Sequence, residues 1–171
     1  YIDSVIFLAP AFAGWPSFSQ MMNQKLTPFT NHEELKKSIM RMPGLHIMLP
    51  NYEVFSHRTV IYNLHEDFDQ HNATFVFEFL KSQGKVDDEA ERIYHADVEK
   101  YLMVPIPEPP VPSLIVYNDG VTQTVSYVIN RHQNNKITSL FGTPSDGTVT
   151  SEGAEYACGN WKNVQCTNLH D

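Results

Sequence analysis

Five consecutive apolar residues, Val5-Ile-Phe-Leu-Ala, stop abruptly at Pro10. A strand with one wet face alternates polar and apolar residues, whereas an unbroken run of β-formers is the pattern of a strand buried on both faces. Such strands belong to parallel sheets covered by helices, so this segment alone predicts an α/β fold. The following Ala11-Phe-Ala-Gly-Trp-Pro turns the chain at the strand's carboxyl end, where open α/β sheets bind their ligands.

The rest of the chain agrees with that class. Residues 17–29 read as helical, and Asn31 caps a second helix beginning His-Glu-Glu-Leu-Lys-Lys. Residues 42–63 read as loop with short extended pieces such as Thr59-Val-Ile-Tyr, and residues 72–83 as a helix rich in Phe. Asp87 or Asp88 caps a further helix, in which Ala90, Ile93, Tyr94, Ala96/Asp97, Val98 and Tyr101 recur at helical spacing to form an apolar, core-facing stripe. The Pro-rich run Met103-Val-Pro-Ile-Pro-Glu-Pro-Pro-Val-Pro reads as an extended lead-in rather than a polyproline ligand, because the strand Ser113-Leu-Ile-Val-Tyr-Asn follows at once. Asn118-Asp-Gly is a turn. Val121, Gln123, Val125, Tyr127 and Ile129 then alternate with Thr and Ser, so a half-exposed strand follows that turn and makes a hairpin with the strand before it. Asn134-Asn135 marks the next turn, and Lys136-Ile-Thr-Ser-Leu-Phe a short strand. The layout predicts the later part of an α/β domain spanning residues 1–171, an incomplete and mainly parallel sheet with a helical cap inserted over residues 17–103. The chain opens in a strand-like segment without Met or a signal-type leader, and so reads as a piece of a longer one.

Composition excludes several function classes. Twelve Lys and Arg stand against 20 Asp and Glu, for a net charge of −8 with no basic run, which repels a phosphate backbone. The apolar run broken by Pro10 is far short of the ~20 residues that span a bilayer. Two cysteines are too few for a disulfide framework or a zinc cage. The cluster His65-Glu-Asp-Phe-Asp-Gln-His71 lacks both the i, i+4 pair of a helical zinc site and an H-E-x-x-H, and reads as a solvated helix entrance. No metal and no cofactor are therefore expected. Protonating all eight His would cancel the net charge (−8 + 8 = 0), consistent with an acidic lumen.

Asp146 is the foremost candidate for chemistry. In Gly142-Thr-Pro-Ser-Asp-Gly-Thr-Val it sits on a glycine-rich loop after an apolar strand, where main-chain N–H groups can hold a carboxylate ionised. That is the requirement on the acid of a Ser-His-acid triad; the competing reading is an Asx-turn that merely caps the loop. No G-x-S-x-G elbow occurs: Gly142 and Gly147 bracket Ser145 with one residue too many. A nucleophile for such chemistry is therefore not expected on this chain. Cys158 and Cys166, eight apart around Trp161, are either a disulfide across a hairpin or two free thiols. Asn72-Ala-Thr is an N-glycosylation acceptor triplet. The cysteine pair and the triplet together lean toward the secretory pathway.

Several stretches, in one order, resemble the lecithin:cholesterol acyltransferase family, which includes phospholipid:diacylglycerol acyltransferases and a lysosomal phospholipase A. Tyr1-Ile-Asp-Ser-Val-Ile-Phe-Leu-Ala-Pro-Ala-Phe-Ala-Gly is similar to the strand after the nucleophile elbow, which ends A/S-P-F/W-G-G. Met42-Pro-Gly-Leu-His-Ile-Met-Leu-Pro-Asn resembles a proline-flanked cap segment, and Val111-Pro-Ser-Leu-Ile-Val-Tyr-Asn-Asp-Gly a strand and turn written P-G-V-x-x-x-x-x-Y-G. Ser145-Asp-Gly-Thr-Val with Tyr156-Ala-Cys-Gly-Asn-Trp resembles the block G-D-G-T-V…S-L-x-x-C-x-x-W, the most specific of the four. The match covers nearly the whole chain, loosely over residues 50–100.

The resemblance implies an α/β-hydrolase fold with a cap. A Ser-His-Asp triad would take an acyl group from a phospholipid and pass it to a sterol, diacylglycerol or water, at a membrane or lipoprotein surface. It makes Asp146 the triad acid and puts the serine and oxyanion donors upstream of Tyr1. The catalytic His falls a few residues beyond Asp171, with His170 its neighbour, or is His170 itself. The family's cysteine partner for Cys158 is replaced by Ile115, which leaves Cys158 free or paired with Cys166. Ala13 stands for the first glycine of the G-G pair, and Ser145 for the glycine before the acid. The rival expectation is a non-catalytic lipid- or partner-binding module that kept the fold. Acyl donor, acceptor and oligomeric state are not encoded in any motif of these residues.

Overall fold

The computed structural model describes residues 1–14, 33–56, 61–64, 69–130, 136–146 and 149–170. The helix expected over residues 17–29, the Asn31 cap and the Asn134-Asn135 turn lie outside them. In chain order the elements are β1 (Val5–Leu8), α1 (Glu33–Met40), α2 (Pro43–His46), β2 (Ile61–Leu64), β3 (Asp69–His71), a 3-10 turn (Ala73–Phe75), α3 (Val76–Ser82) and α4 (Asp88–Ile93). A π-helical turn (Tyr94–Val98) then leads into α5 (Glu99–Leu102), followed by β4 (Ser113–Tyr117), β5 (Val121–Asn130), β6 (Lys136–Ser145), α6 (Glu152–Asn160) and β7 (Val164–Asn168). No helix among the described residues is long and apolar enough to cross a membrane.

The described residues form two sheets. The first is all-parallel in the order β1-β4-β7, with Phe7 beside Ile115 and Ile115 beside Cys166, and with helices it makes an α/β architecture. The second is mixed, in the order β3-β2-β5-β6, with β2 parallel to β5. The hairpin expected across Asn118-Asp-Gly does not form: β5 leaves β4 for this second sheet and pairs antiparallel with β6 instead. Segment 33–102 thus contributes two strands to a sheet as well as helices, and Asp69-Gln-His71 is a strand rather than a helix entrance.

The strand that the sequence marked as doubly buried is not. β1 is an edge strand, and Ile6 and Leu8 are 62% and 73% exposed. β4 takes the centre, with Ile115 fully buried. An apolar run records β-propensity, but coverage of each face depends on which elements pack there. The covered face holds Phe7, Ile115 and Val164 against α6, whose Ala154 and Ala157 are buried. Phe7, Phe12 and Trp161 close one end of it, with ring centroids 4.8 to 6.1 Å apart, and the Trp161 indole N–H donates to the Ile106 carbonyl at 3.1 Å. The Pro-rich lead-in is thereby tied to the sheet. The sulfurs of Cys158 and Cys166 are bonded, which staples α6 to β7. Cys166 is the register neighbour of Ile115, so the disulfide partner lies one strand over from the position that the resemblance would give it.

The helices of segment 33–102 share the core. Phe77 stacks on Tyr94 at 3.7 Å, the Tyr52 and Tyr94 hydroxyls share a hydrogen bond, and Val76, Phe79, Leu80 and Val98 are buried around them. Asp87 caps α4 by accepting from the Ala90 N–H at 2.9 Å, and its 2.6 Å ion pair with Arg41 ties α4 to α1. That side-chain hydrogen bond from Arg41 holds the Asp87 carboxyl below the usual carboxylate range. The buried stripe runs Ala90, Tyr94, Val98 and Leu102, while Ala96, Asp97 and Tyr101 face solvent. A regular α-helix would carry residues spaced by four steadily round the axis; the wider π turn rotates them back, so the four-residue spacing stays in line.

Candidate functional site

Asp146 follows β6 directly. Sequence chemistry put Gly142-Thr-Pro-Ser in a loop, but the ladder to β5 continues through them, and the loop begins at Asp146. Pro144 is tolerated because β6 is an edge strand. The Asp146 N–H donates to the Val149 carbonyl at 3.2 Å, and its Oδ1 accepts the Val149 N–H at 2.7 Å, the Asx-type closure that the sequence offered as the alternative. The buried Ser145 pairs with Thr150 across this turn.

The register of the hairpin decides where that turn sits. Val121 pairs with Ser145, so Gly120 and Asp146 leave the hairpin at the same end, on the side of the exit of β4. There the Asn118 side-chain oxygen accepts the Gly120 N–H at 2.7 Å and tightens the turn. The end of β7 meets the same place: the Leu169 N–H donates to the Tyr117 carbonyl at 2.8 Å, and His170 follows. The His170 ring lies across Gly120, since a Cβ on that glycine would stand 2.5 Å from His170 Cδ2. Its Nδ1 is 3.4 Å from Oδ1 of Asp119, a buried oxygen that takes no hydrogen bond among the described residues. The distance suits an ion pair and is longer than a well-formed hydrogen bond. The Asp119 carboxylate and the His170 imidazole therefore meet at the carboxyl ends of β4 and β7, where α/β sheets present their working groups, and Asp146 begins its loop one residue past the Val121–Ser145 pair. Asp119 had been legible only as a turn residue; the available signal was an acid two residues past the end of an apolar strand.

A cleft of about 430 Å3 opens at the turn after β1, between Phe12, Ala13 and Gly14 on one side and Leu102, Pro105 and Ile106 on the other. Gly14 is required there. Its φ is +91°, and a Cβ would lie 2.3 Å from the Leu49 carbonyl oxygen. Asn51 joins the walls: its N–H donates to the Ala13 carbonyl at 2.9 Å, its Nδ2 to the Val104 carbonyl at 3.0 Å, and its Oδ1 accepts from the N–H groups of Glu53 and Val54. With Asn51 occupied in bonding the walls, the lining presented to a ligand is mainly apolar.

Asn72 is exposed at the end of β3, and Cys158 and Cys166 lie away from the turn at Asp119 and Asp146, in the α6–β7 staple. Of the His65–His71 cluster, residues 65–68 fall outside the described residues, and no group of three His, Cys, Asp or Glu able to hold a metal occurs among the described ones. Comparison with protein-family models and with curated proteins finds no match to this chain.

Proposed function

We propose that the chain is the acid-bearing part of an α/β-hydrolase-type lipid acyltransferase or phospholipase, with Asp146 as the acid of a Ser-His-Asp triad. The observation that supports it is the meeting of Asp119 and His170 at the carboxyl ends of the parallel strands, with Asp146 leaving β6 beside Val121, the first residue of β5 after the Asp119 turn. In that chemistry a serine attacks the ester carbonyl of a phospholipid while His takes its proton. The lyso-phospholipid alcohol leaves with that proton, and the acyl group passes from the serine to a sterol, a diacylglycerol or water. The acid's task is to fix the imidazole tautomer and to stabilise the imidazolium, which a carboxylate anchored on a short turn suits. The serine and its oxyanion donors belong, on this reading, to residues outside these 171. The open edge of β1, with Ile6 and Leu8 exposed, is where further strands of such a sheet would pair. A secretory or lysosomal lumen and a membrane or lipoprotein surface are its natural setting.

A second reading, a binding module without turnover, draws on the Val149 N–H that already occupies Asp146 Oδ1. The test is ester turnover of phospholipid vesicles by the full-length protein and its Asp146→Asn variant. Loss of turnover by on the order of 10⁴-fold with an unchanged melting curve supports the triad. Full activity of the variant removes Asp146 from it, and a wild-type protein with no turnover favours the binding module.

A further inference from the structure

We propose that Asn72 carries an N-linked glycan, which places this part of the chain on the lumenal side of the secretory pathway. Asn72-Ala-Thr is the one N-x-S/T triplet in the 171 residues. It lies in the exposed connection between β3 and the 3-10 turn, with Asn72 and Thr74 both exposed and only Ala73 between them buried, at 1%. Sequons buried in cores or locked inside regular ladders cannot carry a sugar in the folded protein, and this one is neither.

The local geometry is suited to the modification. Asn72 is extended (φ −85°, ψ −172°) and caps the 3-10 turn, and its Oδ1 accepts both the Thr74 N–H at 3.1 Å and the Thr74 hydroxyl at 2.6 Å. All of the cap is made through the oxygen. Nδ2, the atom that is glycosylated, makes no hydrogen bond among the described residues. In the transfer, Nδ2 attacks the anomeric carbon of an oligosaccharide held on a lipid diphosphate. The bond from that carbon to the diphosphate breaks, the diphosphate leaves with the bonding pair, and Nδ2 gives up one proton to a base. The carbonyl oxygen is untouched, so cap and glycan coexist. A second, independent feature points to the same compartment: the Cys158–Cys166 bond persists where thiols are oxidised. The proposal stands apart from the acyl-transfer reading, since a lumenal binding module would be modified equally.

The test is expression of the full-length protein in a eukaryotic host, with peptide N-glycosidase treatment in ¹⁸O water. The expected result is a gain in mobility equal to one glycan at this site and conversion of Asn72 to labelled Asp in the tryptic peptide. Thr74→Ser should keep the shift, whereas Thr74→Ala should lose it. Asn72→Asp should also lose it while still folding cooperatively, because Asp supplies the same acceptor oxygen to Thr74. An unmodified Asn72 peptide from the wild-type protein, or a full complement of glycan in Asn72→Asp, would overturn the proposal.

Discussion

Gly153 and Gly159 occupy the same helix, α6, and the same substitution at each should move stability in opposite directions. Replacing Gly by Ala inside a helix ordinarily stabilises by about 0.5–1 kcal/mol, because the unfolded chain loses freedom and the helix does not. At Gly159 nothing lies within 4 Å of the added methyl, so that gain should be seen in full. At Gly153 the methyl would stand 2.6 Å from the Ala13 backbone nitrogen, 3.1 Å from the Ala13 Cβ and 3.2 Å from the Phe12 Cβ. Ala13 cannot easily retreat. Its carbonyl holds the Asn51 N–H at 2.9 Å, and the next residue, Gly14, is hydrogen-bonded to the Ala11 carbonyl at 3.1 Å. Overpacking of this kind costs about 1–3 kcal/mol, which offsets the propensity gain and leaves Gly153→Ala destabilised by up to about 2 kcal/mol. The two variants should therefore differ by about 1–3 kcal/mol, several degrees in melting temperature at ~2–4 °C per kcal/mol. Urea and thermal unfolding of the full-length variants measure this directly. Ala13→Gly should not rescue Gly153→Ala, because the closest obstruction is backbone rather than the Ala13 methyl. Equal or greater stability of Gly153→Ala than of wild type would refute the packing argument.

Two further outcomes follow from the core. Replacing Cys158 and Cys166 by Ala should cost about 2.5 kcal/mol, the chain entropy released by opening a crosslink of sequence separation 8; an unchanged urea midpoint would show that the staple contributes nothing. His46 is fully buried, donates from Nε2 to the Met40 carbonyl at 2.6 Å and leaves Nδ1 without a hydrogen bond among the described residues, and burial lowers its pKa below the ordinary value near 6.5. The unfolded chain therefore takes up a proton that the folded one refuses, so stability is lost as pH falls from about 6.5 toward the depressed folded value. Wild type should lose more stability than His46→Gln between pH 7.5 and pH 5.5, and parallel pH profiles would dismiss the effect.

Local chemistry made much of the chain legible. The Asp87 cap, the Ser113–Tyr117 strand, the turn at Asn118-Asp-Gly and the turn at Asp146 all follow from residues within a few positions of one another, where side chain and backbone meet whatever the rest of the chain does. What the sequence left undetermined was every property that depends on a partner distant in the chain. The apolar run of β1 revealed a strand but not that β4 would take the centre and leave Ile6 and Leu8 exposed. The π turn that shifted the buried stripe to Leu102 has no compositional signature, because it adjusts helix register to packing on both sides. The two cysteines allowed bonded or free states equally, and the β4–β7 register beside α6 brought them together. Asp119 reads as turn chemistry until β7 carries His170 across Gly120, 50 residues later in the chain. Hydrogen bonds at caps and turns span a few residues and are written in the local sequence. Burial, register and the meeting of acid with imidazole arise only when strands far apart in the chain pair, and the tertiary structure alone decides them.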